Sequence, residues 1–178
     1  MNSAPFGFRI KGDARGERRL VDWRSAFHAY ADCDPKAEPD REAYLSAFAY
    51  PAEFRKYLTA NGTTKGYSGP CGGDWVWFDI DRESDLDAAT NDARRLCAGL
   101  ADAYGIDGDE LLIFFSGSKG YHVGLPSQVF GAPEPSANYH RTARQFAESI
   151  AERLQVTIDR GVYDRVRIFR APNSRHAK

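Results

Sequence analysis

The chain has 178 residues, 42% of them hydrophobic and 28% charged, with a formal net charge of −1. That length and balance suit a single globular domain, 1–178, with a buried core, and exclude a disordered polymer. No run approaches the ~20 apolar residues of a membrane span, and the opening "MNSAPFGFRIKGD" holds no basic-then-apolar leader, so a soluble, cytoplasmic protein without a membrane partner is expected.

Residues 17–32 place Leu20, Trp23, Phe27 and Tyr30 three and four apart, which predicts a helix. A second helical stretch is predicted from 39 to 60, split or kinked at Pro51 and ended by Asn61-Gly62, so residues 1–65 read as a mainly helical N-terminal portion. Glycine-rich residues 61–73 read as a loop into the motif-bearing portion, 66–178. "DWVWFDID", 74–81, alternates as a strand, with Val76, Phe78 and Ile80 on one face and Trp75, Trp77, Asp79 and Asp81 on the other. Ser84 and Asp87 resemble a capping box opening a helix whose stripe runs Leu86, Ala89, Ala93, Leu96, Leu100, Tyr104 and closes at Gly105. A turn at 107–110 precedes two strands, "LLIFFS" and "YHVGLP". After a loop from Pro126 to Pro135, a helix is predicted over 137–155 with Ala143, Phe146, Ala147, Ile150 and Leu154 inward; "VTID" and "VYDRVRIFR" then read as strands. The order predicts an α+β fold, a mixed α/β layer with helices packed on a sheet.

Three stretches carry more chemistry than a fold requires. In "FDID", Asp79 and Asp81 point the same way, roughly 7 Å apart along the strand, and two such carboxylates repel unless a cation joins them. Hard divalent ions such as Mg²⁺ or Mn²⁺ supply that charge through oxygen ligands, usually alongside substrate phosphates. A strand running into an acidic helix start accounts for Asp81 equally well, but less well for Asp79 between apolar neighbours. In "SGSKGYH", 116–122, a tight glycine turn can gather backbone N–H groups into an anion-binding concavity. Ser116, Ser118 and Lys119 lie in that turn, and His122 projects from the strand after it. Such a turn suits a triphosphate, although it is not a P-loop because GxxxxGK[ST] is absent. In "IDRGVYDRVRIFRAPNS", 158–174, Asp159 is followed by Arg167 and Arg170, which fall on opposite faces of a regular strand.

Charge follows the same division. Residues 79–110 hold ten acidic and three basic side chains, whereas 137–178 hold nine basic and four acidic, so one segment suits cations and the other phosphates. Cys33, Cys71 and Cys97 form no CxxC pair and are expected as buried thiols. Trp75 and Trp77 are expected in packing, and His28, His140 and His176 as ordinary surface or core histidines.

"WFDID", "SGSKGYH" and "TID", in this order, resemble the archaeo-eukaryotic primase superfamily, most closely its primase-polymerase members. That family's pattern is an apolar strand ending in Asp-x-Asp or Asp-x-Glu, a Ser-Gly-x-Lys/Arg-Gly-x-His turn and an apolar-Asp motif. The "VY…R.FR…S" run after Asp159 adds to the similarity. The second motif is the specific one: its five fixed residues would coincide by chance on the order of once in ten thousand such chains. The resemblance covers about residues 66–176.

It implies a primase-type catalytic core, an RNA-recognition-motif-like sheet with helices on it. The implied activity is template-directed nucleotidyl transfer that extends a primer 3′-hydroxyl or starts a primer. Asp79, Asp81 and Asp159 would match the catalytic carboxylates holding two divalent ions, Mg²⁺ or Mn²⁺. Ser116, Ser118, Lys119 and His122 would match residues around the incoming nucleoside triphosphate, and Arg170 a basic residue reaching the same phosphates. The implied partners are nucleoside triphosphates and a single-stranded DNA template with its primer. Residues 123–158 lack the cysteines of the zinc element many primases carry, which favours extension over de novo priming. Relatives usually continue past the third motif, so the expectation is a core of a longer replication protein, with a helicase or primer-binding region in the same or an associated protein. A metal-dependent nuclease would not need the phosphate turn, and a DxD glycosyltransferase would leave Asp159 unexplained. The alternative is a catalytically weak primase-like module that binds nucleotide or DNA.

Overall fold

The computed structural model describes residues 4–83, 85–117 and 119–176. The fold is mixed α/β, with two antiparallel sheets and four α-helices among the described residues. The chain divides into two compact units that are discontinuous in sequence, and residues 134–140 and 164–176 belong with 4–73.

The first unit is built on a four-stranded sheet of order β2-β1-β3-β7, where β1 is Phe6–Lys11, β2 Arg19–Asp22, β3 Ala43–Ser46 and β7 Ile168–Arg170. Its helices are α1 (Trp23–Ala31) and α2 (Ala52–Asn61). The expected mainly helical character of residues 1–65 is corrected here, since three strands lie among them. Within the predicted 17–32 helix, Leu20 and Val21 pair with Phe8 and Gly7 of β1, and the helix begins only after Asp22, whose carboxylate accepts the Ser25 N–H at 2.9 Å. The Trp23, Phe27 and Tyr30 stripe is buried as the spacing implies. The predicted 39–60 helix is likewise strand over Ala43–Ser46, because two neighbouring strands satisfy that backbone and override its local helical preference. Pro51 marks the start of α2 instead of a kink within it. Tyr50 and Phe54 stack at 4.0 Å, with Phe8 against both, and all three are fully buried.

The second unit, 74–133 and 141–163, carries the motifs on a three-stranded sheet of order β4-β6-β5. Here β4 is Trp75–Asp81, β5 Leu112–Phe115 and β6 Gly120–Pro126, as the sequence predicts. On one face Val76, Phe78, Ile80, Val123 and Leu125 are buried beside α3 (Leu86–Tyr104), whose Ala89, Ala93, Leu96 and Leu100 are buried too. Gly105 ends that helix at φ 61, a left-handed conformation that favours glycine. The N-cap is Asp85, accepting the Ala88 N–H at 2.8 Å; the predicted capping residue Ser84 lies outside the described residues. In α4 (Tyr139–Arg153), Ala147 and Ile150 are buried. Leu154, just past it, lies against Gly99 of α3, where a Cβ would meet Leu154 Cδ2 at 2.5 Å. "VTID" is not a strand, and "VYDRVRIFR" resolves into a 3-10 turn, Arg160–Tyr163, followed by the short β7. Among the described residues no helix is long and apolar enough to cross a membrane.

Candidate functional site

β4 and β6 run antiparallel, so residues opposite each other share a face of the sheet. Asp79 stands opposite His122, and His122 Nε2 lies 3.4 Å from Asp79 Oδ1. Phe114 of β5 continues this row on the far side of His122. Asp81 follows on the same face, opposite Gly120.

The hairpin beyond that row is closed by backbone bonds. Ser116 N donates to Gly120 O at 2.8 Å, and the Ser116 hydroxyl accepts the Gly120 N–H at 3.1 Å, so this serine shapes the turn. Gly117, at φ 96, supplies the left-handed step. Ser118 lies outside the described residues. Lys119 Nζ stands 4.0 Å from Asp81 Oδ2 and 3.5 Å from Glu83 Oε1. Its carbonyl accepts the Arg82 N–H at 3.1 Å, while the Arg82 guanidinium holds the buried Asp92 carboxylate at 2.6 and 3.0 Å. The strand end carrying Asp81 is thereby tied to α3.

The third segment reaches the opposite edge of β4. Asp159 N donates to Asp79 O at 2.7 Å, and its Oδ1 accepts the Gly161 N–H at 2.8 Å. Tyr163, buried four residues on, donates its hydroxyl to Trp77 O at 2.5 Å. Two alternate carbonyls of β4, those of Trp77 and Asp79, are thus taken by the 159–163 segment, which replaces a fourth strand over that short length. Tyr163 had no assigned role in the sequence. Its signal is its place in "VYDR", one turn after Asp159.

The carboxylates repel one another. The Asp81 carboxyl is pushed above its ordinary range by partial burial first, with Asp79, Asp159 and Glu83 adding to the rise and Lys119 opposing it. Its side chain keeps 43% of its exposure, so water screens part of this. Among the described residues no three His, Cys, Asp or Glu side chains form a ready-made metal cage. The donor set nonetheless suits a hard divalent cation: aspartate oxygens, two on one strand face and Asp79 and Asp159 both raising the Asp81 carboxyl, of the type Mg²⁺ shares with substrate phosphates.

Of the residues expected at a nucleotide site, Asp79, Asp81, Asp159, Ser116, Lys119 and His122 are in this unit. Arg170 belongs to the first unit, over the Tyr44 ring at 5.1 Å, with Nη2 3.3 Å from the Tyr44 hydroxyl and 3.7 Å from Glu42 Oε1. Trp77 is buried as expected, lying across Gly124, where a Cβ would meet the indole at 2.8 Å. No protein-family model, no curated protein and no solved structure matches this chain.

Proposed function

We propose that this chain is a template-directed nucleotidyltransferase of the primase-polymerase type, adding nucleotides to a primer 3′-hydroxyl on a single-stranded DNA template. The observation that carries the reading is the convergence of three segments far apart in sequence on one strand: His122 faces Asp79 across the sheet, Lys119 stands beside Asp81, and Asp159 bonds the backbone of Asp79. A nuclease or a sugar transferase gives no reason for a cationic phosphate turn and a third carboxylate beside the same two aspartates.

In this reading the primer oxygen attacks the α-phosphorus of a nucleoside triphosphate, the bond to the β-phosphate breaks and pyrophosphate leaves. Bound Mg²⁺ or Mn²⁺ supplies neutralisation of the leaving charge and a lowered pKa for the primer hydroxyl. Asp79, Asp81 and Asp159 would hold the metal ions. Lys119 would place a cation at the phosphates, while the Ser116 and Gly120 N–H groups are used within the turn and hold its shape. His122 Nε2 stands 3.4 Å from Asp79 Oδ1, and the imidazole would offer an N–H to a phosphate oxygen beside the metal. A primase-type core with an RNA-recognition-motif-like sheet accords with β4-β6-β5 and with α3 on one of its faces.

The test is incorporation of labelled nucleotides on primed and unprimed templates with Mg²⁺ or Mn²⁺. Wild type should extend the primer, and Asp79→Ala should lose at least about a hundredfold in rate while staying folded. Melting gives a second readout: millimolar Mn²⁺ should raise Tm of wild type and not of Asp79→Ala. Nucleotide binding without turnover under either metal would favour the binding-module alternative.

A further inference from the structure

Beside the third carboxylate, α4 and the 3-10 turn present two arginines that face one carboxylate oxygen, Arg144 as a hydrogen-bond donor and Arg160 as an ion-pair partner. Arg144 Nε is 2.9 Å and Arg160 Nε 3.1 Å from the same atom, Glu148 Oε1. Neither guanidinium has another hydrogen-bonding or ionic partner among the described residues, so their Nη edges remain for a ligand. Stability does not account for the arrangement. The arginine side chains are 46% and 69% exposed, and pairs this exposed contribute about 0–1 kcal/mol. Within α4 the arginine also precedes the glutamate by four residues, the less favourable order on a helix.

We infer that Arg144 and Arg160, held by Glu148, form a clamp for the phosphodiester backbone of the nucleic-acid strand that the site extends or copies. Arg144, hydrogen-bonded through Nε, keeps its paired Nη–H donors for two oxygens of one phosphate, and Arg160, ion-paired to the same oxygen, adds a second guanidinium beside it. Arg141, exposed one turn earlier on α4, extends the cationic stripe. Alongside, a cleft of about 480 Å³ is lined by Ala151, Val156 and Ile158 together with Thr157, Arg160 and the carboxylates of Glu148 and Glu152, so a strand entering it would meet apolar side chains with its phosphate turned to Arg160 and away from Glu152. The clamp adjoins the carboxylates. Arg160 follows Asp159 directly, and Tyr163 lies in the electrostatic reach of Asp79 and Asp159 together with Glu148 and Arg144. The inference rests on the nucleotidyltransferase reading, because it is the polymerised strand that would lie here, with the triphosphate at the Lys119 turn.

The experiment is fluorescence anisotropy of a labelled oligothymidylate with the full chain across a salt series, beside anisotropy of a fluorescent deoxynucleoside triphosphate. Arg144→Ala with Arg160→Ala should weaken strand binding about tenfold at low salt and make the log-affinity against log-salt slope shallower by about 1.4, two single-strand phosphate contacts. Nucleotide affinity should stay within about twofold, and Arg153→Ala with Arg94→Ala, the same loss of two positive charges at exposed positions away from Glu148, should leave strand affinity within about twofold. The clamp is overturned by an unchanged affinity and slope, by an equal loss in the Arg94→Ala, Arg153→Ala control, by a loss confined to the nucleotide, or by wild type that does not bind the strand. Primer extension by wild type alongside unchanged strand affinity in the double variant removes the clamp alone. Arginine-dependent strand binding without any incorporation removes the polymerase reading and keeps the clamp.

Discussion

At Gly120 a Cβ would stand 1.7 Å from the carbonyl oxygen of Ile80, a backbone atom that no rotamer change can move away. Gly120, one of the fixed glycines of "SGSKGYH", is thus the contact that lets β6 close on β4 and sets His122 opposite Asp79. Gly120→Ala should cost about 2–4 kcal/mol, seen as a lower chemical-denaturation midpoint, and incorporation should fall with it. The cysteines, expected alike as buried thiols, separate at this scale. Cys71 is fully buried, and that burial pushes its thiol up to about 11; Cys33 is exposed. In native protein at neutral pH, Cys33 should react with a thiol reagent within minutes and Cys71 only on unfolding, as peptide mapping would show. That correction to Cys33 was beyond sequence reasoning, since a lone cysteine in a polar stretch gives no periodic signal.

Among the elements, β4, β5, β6, α3 and α4 were legible because their periodicity is strong and their buried faces are local properties of the chain. β2 and β3 were not. Leu20 and Tyr44 sit in segments whose own preferences are helical, and only pairing with β1 and β7 makes them strands. Residues 156–163 were misread in the opposite sense: the "VTID" alternation over 156–159 predicts a strand, but the Asp159 backbone bond and the Tyr163 hydroxyl fasten the chain to β4 without one. Tyr163→Phe tests that fastening. It leaves the buried Trp77 carbonyl without its donor, which should cost about 1–2 kcal/mol and lower Tm by about 2–6 °C. Under the proposed function, kcat should fall while nucleotide affinity holds, because the aspartate carried by the segment loses its anchorage and the Lys119 turn does not.

For the whole molecule, the first unit buries groups whose charged forms water stabilises better. Burial raises Tyr67 to about 12 from 10.0 and Cys71 to about 11 from 9.0, and it raises Tyr50 as well. Because the folded pKa values lie above the unfolded ones, this contribution to stability is complete below about pH 9 and is lost as pH climbs through 11 and 12. Thermal melts between pH 8 and about 11.5 should show Tm falling steadily above pH 9; a flat profile would mean these groups reach water in the native state.

Residue chemistry and short-range spacing were enough, from sequence alone, to place Asp79 and Asp81 on one strand face, to join β5 and β6 by a glycine hairpin carrying Lys119, and to single out Asp159. These are properties of a few consecutive residues, and pleat and turn geometry follow from them directly. Tertiary structure decided what such spacing does not encode: that His122 rather than a neighbour faces Asp79, that Asp159 bonds to β4 through its backbone, that Arg170 pairs with Glu42 and Tyr44, and that Arg144 and Arg160 meet on one glutamate. Each depends on the register of strands or on segments distant in the chain, which is settled by burial and backbone pairing across the whole fold.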